Sequence, residues 1–546
     1  MNITERQRPQ GERTHTSHRV TAFVTAMVVS VGAAVMNFGL TFGVSAAAPA
    51  ALGDRVIEHK LANGMTILMV ERHQAPIVSI NMTFGVGGVN EQVGQTGLAH
   101  LYEHMAFKGT RTVGTKDYEK EKPILDELHR VGTELEQRQR ELGRRSADMP
   151  DDPAEKAAIE GLQKRFKELQ EQAAQYVAGN EMALLYQRHG GVGLNASTGK
   201  DLTRYVISLP ANRLPLWAAI ESDRMANPVL REFYKERGVV MEERRLRNDD
   251  SPSGSLYETF TSAAFRAHQY GVPTIGWESD ILSLTPAATE AFFKTYYGPG
   301  RATIGIVGDI DPKEVVTLIE NTFGKIPAVP PPPQLVTVEP PQRGERRVEV
   351  EFDAEPSLAI GFHKPGLGHP DDYVFDVIDE LLTDGPTSRL YSKLVRESRL
   401  AAAVNSDANY PGVRSPNLFV ISATPLAPHT TAEVEAAILA ELERLKTEPV
   451  SSKELERIVN NLDADMVRAL RSNSGLASQL ALYQTVAGDW RYVLKSRDKI
   501  AAVTPADIQR VAAQYFLKSN RTVATLVKKT SPKPLTTAMP GEGGRS

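Results

Sequence analysis

From Arg55 onward the chain runs in short apolar stretches broken by turn residues. A first strand ends at Asn63-Gly64 and a second follows over Met65-Val70; an Asn-Gly pair between apolar runs marks a hairpin. Pro76 to Phe84 predicts a third strand. Gly85-Val86-Gly87-Gly88 and Gln95-Thr96-Gly97 then lead into a helix. Leu202-Leu209 reads as a strand, Trp217-Met225 and Phe233-Arg247 as helices, and Ala302-Val307 as a strand ending in Gly308-Asp309 before a helix through Phe323. A linker from Ile326 to Pro341, with prolines at 330–333, is expected to be extended.

Beyond the linker the order recurs. A strand Leu358-Phe362 precedes a helix Asp371-Leu382 and Gly385; a helix Lys453-Leu470 follows, and a strand Val523-Val527 closes the series. The echo is also local: Glu236-Arg237-Gly238-Val239-Val240 has its counterpart in Glu456-Arg457-Ile458-Val459-Asn460, and Thr295-Tyr296-Tyr297 in Gln514-Tyr515-Phe516. These patterns predict a duplicated α+β domain, with helices on one face of a mainly antiparallel sheet. The expected divisions are a first domain over 49–325, a linker over 326–343, a second domain over 344–529 and a disordered tail over 530–546.

One segment, about 117–185, has no equivalent in the second half. Ile159, Leu162, Phe166, Leu169, Ala173 and Tyr176 fall at spacings of three and four. Ile124, Leu128, Val131, Leu135 and Leu142 form a matching stripe on the other side of Pro150-Asp151-Asp152-Pro153. This is the pattern of an antiparallel helical hairpin, either a structural insert or an arm that touches substrate or partner.

Composition narrows the chemistry. With 63 Lys+Arg against 67 Asp+Glu, the formal charge of -4 argues against a general nucleic-acid binder. The chain has no cysteine, which excludes disulfides, thiolate metal sites and cysteine nucleophiles, so a metal must be held by His and carboxylates. At the N-terminus a basic flank, an apolar run from Val20 to Val44 and Ser45-Ala46-Ala47-Ala48 have the form of a signal peptide over 1–48. The run is also long enough for an uncleaved membrane anchor. Either reading predicts a periplasmic or extracytoplasmic body.

The candidate chemistry lies in Gly97-Leu98-Ala99-His100-Leu101-Tyr102-Glu103-His104. On a helix His100 and His104 project from one face and can reach one ion, while Glu103 flanks it. Zinc bound by three protein groups keeps a position for water and lowers its pKa to about 7; a neighbouring carboxylate then serves as general base. For the third ligand, Phe233-Glu243 predicts a helix with Glu236 and Glu243 on one face, seven apart, and Glu242 pointing to solvent. Gly85-Gly88 lacks the third glycine and the context of a dinucleotide loop, Gly114-Thr115-Lys116 lacks the order of a phosphate loop, and no nucleophile elbow is present. His73, His189, His268 and His363 stand alone and read as structural or exposed.

The run His100-Leu101-Tyr102-Glu103-His104-Met105-Ala106-Phe107-Lys108-Gly109-Thr110 resembles the zinc-site helix of inverzincin metallopeptidases, and more narrowly the M16 family of pitrilysin and the mitochondrial processing peptidase. Asn195-Ala196-Ser197-Thr198 with Asp201, Thr203 and Tyr205, the Glu236-Val240 run with Glu243, Gly308-Asp309 and the duplicated layout extend the likeness over nearly all of the exported body. The resemblance implies two tandem domains of LuxS/MPP-like metallohydrolase type. It also implies one Zn2+ per chain on His100, His104 and Glu243, Glu103 as general base, and Glu236 as a supporting acid. Asn195, Ala196, Ser197 and Thr198 match the sheet edge where a peptide adds as a strand, and Phe107 falls within the matched motif.

Two departures accompany it. The stretch between His104 and Glu243 is longer than is usual in the family, and the helical hairpin accounts for the excess. In the second half the corresponding positions are Asp376, Asp379, Glu380 and Asp463, without histidine, so no zinc is expected there. Ser388-Arg389-Leu390-Tyr391 and Arg396 resemble the region where relatives carry a substrate-gripping Arg and Tyr, but position 403 is Ala. Two duplicated domains make half of a clamshell, which implies a homodimer or a heterodimer with an inactive paralogue. The function expected from all this is a zinc endopeptidase acting on short or unfolded polypeptides; the alternatives are a non-catalytic subunit and a protease dedicated to one precursor.

Overall fold

The computed structural model describes residues 52–144 and 152–529. The signal or anchor segment, the tail after 529, and Pro150 and Asp151 of the hairpin turn lie outside the described residues. In chain order the strands of the first sheet are β1 (Ile57–Lys60), β2 (Thr66–Glu71), β3 (Ile77–Phe84), β4 (Val192–Thr198), β5 (Thr203–Pro210) and β6 (Ala302–Gly308). They stand in the order β1-β2-β6-β3-β5-β4, and every neighbouring pair is antiparallel except β2 with β6. The helices of this half are α1 (Leu98–Met105), α2 (Tyr118–Gly143), α3 (Pro153–Ala174), α4 (Glu181–Arg188), α5 (Leu214–Ala226) and α6 (Phe233–Arg244). Four more follow: α7 (Pro252–Ala264), α8 (Glu278–Ser283), α9 (Pro286–Tyr296) and α10 (Pro312–Asn321).

The second half repeats the plan with β7 (Arg346–Phe352), β8 (Ser357–Lys364), β9 (Ala401–Tyr410), β10 (Asn417–Pro425) and β11 (Arg521–Lys528), ordered β7-β11-β8-β10-β9. Its helices are α11 (Pro370–Thr383), α12 (Thr431–Thr447), α13 (Ser452–Arg471), α14 (Asn473–Ala487), α15 (Tyr492–Ala501) and α16 (Pro505–Tyr515). The α+β class and the tandem, mainly antiparallel architecture expected from the sequence are those observed.

The packing differs from expectation in one respect: both faces of each sheet are covered, and each second face by a helix from the opposite half. On the first sheet Ile67, Met69, Val78, Ile80, Met82 and Phe84 point into the main core with α1, α5 and α9. The alternate residues Leu68, Val70 and Val307 pack instead on Leu476, Ala477 and Leu480 of α14. Gly305 makes this approach possible, because a Cβ there would lie 2.4 Å from the Ala477 carbonyl oxygen. Reciprocally, Leu256, Phe260 and Ala264 of α7 cover Ala359, Leu418, Val420, Ala524 and Leu526 on the second sheet. Each buried leucine or phenylalanine of these exchanged helices stabilises the contact by about 1.5–3 kcal/mol. Polar ties reinforce it: Asp201, just past β4, accepts from the Tyr270 hydroxyl (2.8 Å) and from the Val413 N–H (2.7 Å) of the second half.

The hairpin is part of the first half's packing and not a free arm. Leu125, Leu128 and Val131 of α2 meet Leu169 and Ala173 of α3, with Val229, Phe166 and Tyr234 packed against them. Arg231, entering α6, is 1% exposed and pairs with Glu121 of α2, itself 0% exposed, at 2.7 Å. Arg237 of α6 pairs with Glu136 of α2, and Tyr234 lies against Gly132. The insert therefore backs α6, the helix that carries Glu236 and Glu243.

Candidate metal centre

The helix α1 begins at Gly97, whose φ of 89° is a left-handed conformation and where a Cβ would lie 2.6 Å from the Ile275 carbonyl oxygen. Two of its first N–H groups, on Gly97 and Ala99, donate to the buried carboxylate of Glu91 at 2.8 Å each. An acid at a helix N-terminus satisfies orphan donors and suits the helix dipole. Burial nevertheless raises the Glu91 pKa to about 8, with those two hydrogen bonds pulling the other way. Leu98, Leu101, Tyr102 and Met105 anchor the opposite side of α1 in the core. That leaves His100, Glu103 and His104 facing α6 and β4.

There the two imidazoles meet Glu243. Its Oε2 lies 3.6 Å from His100 Nε2 and 3.3 Å from His104 Nε2, and the three ligand atoms are all within 4.8 Å of one another. Two imidazole nitrogens and one carboxylate oxygen converging in this way are a donor set that fits zinc. Burial lowers the His100 pKa to about 4, against the attraction of Glu243, so this ring is neutral near pH 7. Burial acts on His104 in the same direction, but Glu236 and Glu243 overcome it and raise its pKa to about 9. Glu243 is held low by its hydrogen bond to His104, against the effect of burial.

Glu236 stands behind the cluster. Its Oε2 lies 3.5 Å from His104 Nδ1 and its Oε1 lies 2.5 Å from Lys108 Nζ, which also reaches Glu232 at 3.1 Å. Burial would raise the Glu236 pKa, but His104 and Lys108 together hold it below the usual carboxylate range. By contrast Nδ1 of His100 is buried without a hydrogen-bond partner among the described residues. Glu242 points outward and pairs with Arg245, as its place on the helix predicts.

Glu103 is not among the three converging ligands. Its Oε2 accepts from the Thr198 hydroxyl at 2.6 Å, which ties it to β4. Burial raises its pKa, partly opposed by that hydrogen bond. β4 is an edge strand: among the described residues it pairs with β5 alone, where Asn195, Ala196, Ser197 and Thr198 oppose Val206, Tyr205, Arg204 and Thr203, and no strand of these residues pairs with its other edge. Phe107, packed near Tyr205, joins Glu103, His104, Met182, Leu194 and Ala196 around a cavity of about 420 Å3 beside the cluster. The exit of the hairpin, Val177 to Glu181, forms its far wall.

Arg396 is not brought to this cluster; it is exposed in the second half and donates to the Pro386 carbonyl at 2.9 Å. Ala403 lies on β9 opposite Thr424. Three site residues escaped the sequence reading. Lys108 stood inside the motif, Glu91 stood six residues before Gly97, and Arg247 lies one helical turn past Glu243, with its Nη1 2.7 Å from Glu243 Oε1. Each had a signal in the sequence: a place in the motif, an acid just ahead of a helix, and a base four residues after the candidate ligand.

Known proteins resemble this chain in sequence and fold. The model of "Insulinase (Peptidase family M16)" matches residues 66–135, which contain His100 to His104, and that of "Peptidase M16 inactive domain" matches residues 283–462. The zinc protease PqqE of Helicobacter pylori is 28% identical over 477 residues, covering 85% of this chain and 91% of that protein. A zinc protease of Bacillus subtilis, YmxG, is 21% identical over 458 residues, covering 83% of this chain and 94% of that protein. Among solved structures, a protease from Helicobacter pylori superposes with a TM-score of 0.71 at 27% identity, covering 86% of this chain and 99% of that one. The periplasmic protease PqqL of Escherichia coli shares the fold, with a TM-score of 0.63 at 18% identity over 87% of this chain and 48% of that one. Matched in both halves and across nearly the full length of zinc-protease relatives, the chain belongs to the M16 family.

Proposed function

We propose that the chain is a zinc-dependent endopeptidase that hydrolyses peptide bonds of short or unfolded polypeptides. The observation that carries this reading is the convergence of His100 Nε2, His104 Nε2 and a Glu243 oxygen beside a separately oriented carboxylate, Glu103. His100, His104 and Glu243 would hold one zinc, which when bound supplies Lewis acidity and lowers the pKa of water to about 7. Glu103 acts as general base, taking the proton of the attacking water and passing it to the leaving amine. Its burial favours this role, because a pKa moved up toward the working pH makes a carboxylate a better proton carrier. Glu236 orients His104 through Nδ1, with Lys108 fixing Glu236 in turn. The open edge of β4 takes the peptide as an added strand, so affinity comes largely from backbone hydrogen bonds and the sequence demands are modest.

The test is Glu103→Gln. It should keep the metal and lose peptide cleavage by about 10²–10⁴-fold, the scale of a general base; turnover equal to wild type would refute the reading. The match of residues 283–462 to an inactive domain favours one alternative, a non-catalytic subunit of an M16 assembly, which predicts no cleavage by the wild type. We also propose that the body is exported by its first 48 residues and works as a pair, either a homodimer or a heterodimer with an inactive paralogue. That this chain matches in fold only 48% of PqqL suits such pairing. Sedimentation of the exported body alone and with co-purified partners checks it: a strictly monomeric active enzyme would rule it out.

A further inference from the structure

We infer that Arg247 is a positioning residue for Glu243, holding one carboxylate oxygen so that only the other is offered to the metal; this rests on the zinc site proposed above. The two oxygens of Glu243 face different partners. Oε2 faces both imidazoles, at 3.6 Å and 3.3 Å, whereas Oε1 lies 2.7 Å from Arg247 Nη1. The pair has the four-residue spacing at which side chains on a helical turn meet. α6 ends at Arg244 and passes directly into one wide turn, Arg245 to Asp249, with π-helical geometry. Such turns recur at functional sites.

The three arginines around this junction go to different acids. Arg244 is buried and pairs with Glu258 of α7, Arg245 turns outward to Glu242, and Arg247 returns to Glu243. Arg247 also lines the cleft that starts at His100 and Thr198 and continues past Tyr257 to Tyr410 of the second half. Arg247 thus shares this cleft with His100, and its ion-pair partner is Glu243.

An exposed ion pair of this spacing adds little to folding stability, and Arg247 is 68% exposed. Its consequence lies in coordination. A carboxylate free to turn can give both oxygens to one ion and take up the position needed by water. One held through Oε1 gives a single oxygen and leaves that position open. Groups that orient metal ligands in this way typically change affinity or activity by about 10–100-fold when removed.

The experiment uses the full chain as wild type, Arg247→Lys, Arg247→Gln and Glu243→Gln, with zinc affinity measured by competition with a chromophoric chelator. Arg247→Gln is expected to change zinc affinity by about 10–100-fold, with Arg247→Lys between it and wild type and circular dichroism unchanged in all. The cobalt-substituted proteins give a second readout. The visible bands of wild type should have the intensity of a four-coordinate ion, and those of Arg247→Gln should weaken as the released oxygen joins the metal. Equal zinc affinities in wild type and both Arg247 variants, or an identical cobalt spectrum, would overturn the inference while leaving the zinc site intact. A wild type that binds no zinc, or a Glu243→Gln variant that binds it as tightly as wild type, would instead overturn the proposed site itself.

Discussion

The two halves place the same kind of helix pair against the same kind of edge strand, yet they gather opposite chemistry. In the first half α1 and α6 bring two imidazoles and Glu243 together beside Glu103 on β4. In the second half the corresponding positions on α11 are Asp376, Asp379 and Glu380, facing β9, the edge strand of that sheet. Asp463, the counterpart of Glu243, is turned to Arg497 at 3.1 Å, and Glu456, the counterpart of Glu236, is exposed. Glu380 comes close to Asp384 and Asp465, but with carboxylates only, a hard all-oxygen set without the nitrogen donors of the first site. A duplicated scaffold thus preserves the geometry of backbone and edge, while ligand chemistry depends on a few side chains and the neighbours that orient them.

Paired substitutions should bring this contrast out most strongly at the metal ligands. Glu243→Gln is expected to remove nearly all zinc and all zinc-dependent peptidase activity, whereas Asp463→Asn should retain wild-type zinc content by elemental analysis. Loss of zinc from Asp463→Asn would mean that the second half shares in the site. A smaller effect is expected one layer back. Glu236→Gln should weaken zinc binding or activity by about 10–100-fold, because His104 Nδ1 and Lys108 lose their shared acid. Glu456→Gln, on the exposed counterpart, should leave both unchanged.

The smallest effect is on stability, and it belongs to the second half. Burial raises Asp376, Asp379 and Glu380 each to about 7, reinforced by neighbouring carboxylates such as Asp372, Asp407 and Asp384. The folded chain then holds protons that the unfolded chain has already released, so stability is greatest below the unfolded carboxylate range and falls as pH rises through about 7. Melting temperature should drop between about pH 5 and pH 8, and Asp376→Asn should flatten that slope. A melting temperature that rose across this interval in wild type, or a slope that Asp376→Asn left untouched, would contradict the assignment.

Much of the first site was legible because its information is local. Four residues of spacing put His100 and His104 on one face of a helix, and seven put Glu236 and Glu243 on one face of another. The Asn63-Gly64 turn, the apolar run of β2 and the alternation along β3 and β5 are likewise near-neighbour properties. Glu243 and Arg247 stand four apart, a spacing at which helical side chains meet, but several arginines follow Glu243 and the structure shows that it is Arg247 that pairs with it. The hairpin stripe was visible, but the choice between an arm and a brace depended on Arg231, Tyr234 and Arg237 of α6 meeting Glu121, Gly132 and Glu136.

β3 shows where the boundary falls. Its alternation of Val78, Ile80, Met82 and Phe84 with Ser79, Asn81 and Thr83 reads as a strand with one face in water, yet Ser79, Asn81 and Thr83 are all buried. Asn81 donates to the Ser478 hydroxyl of α14 at 2.9 Å, nearly four hundred residues away. The sequence by itself determined which residues form strands and helices and which side chains share a face, because those follow from backbone periodicity. Only the tertiary structure decided what covers the second face of each sheet and which acid pairs with which base. Those outcomes depend on long-range packing and on the desolvation of polar groups, neither of which leaves a period in the chain.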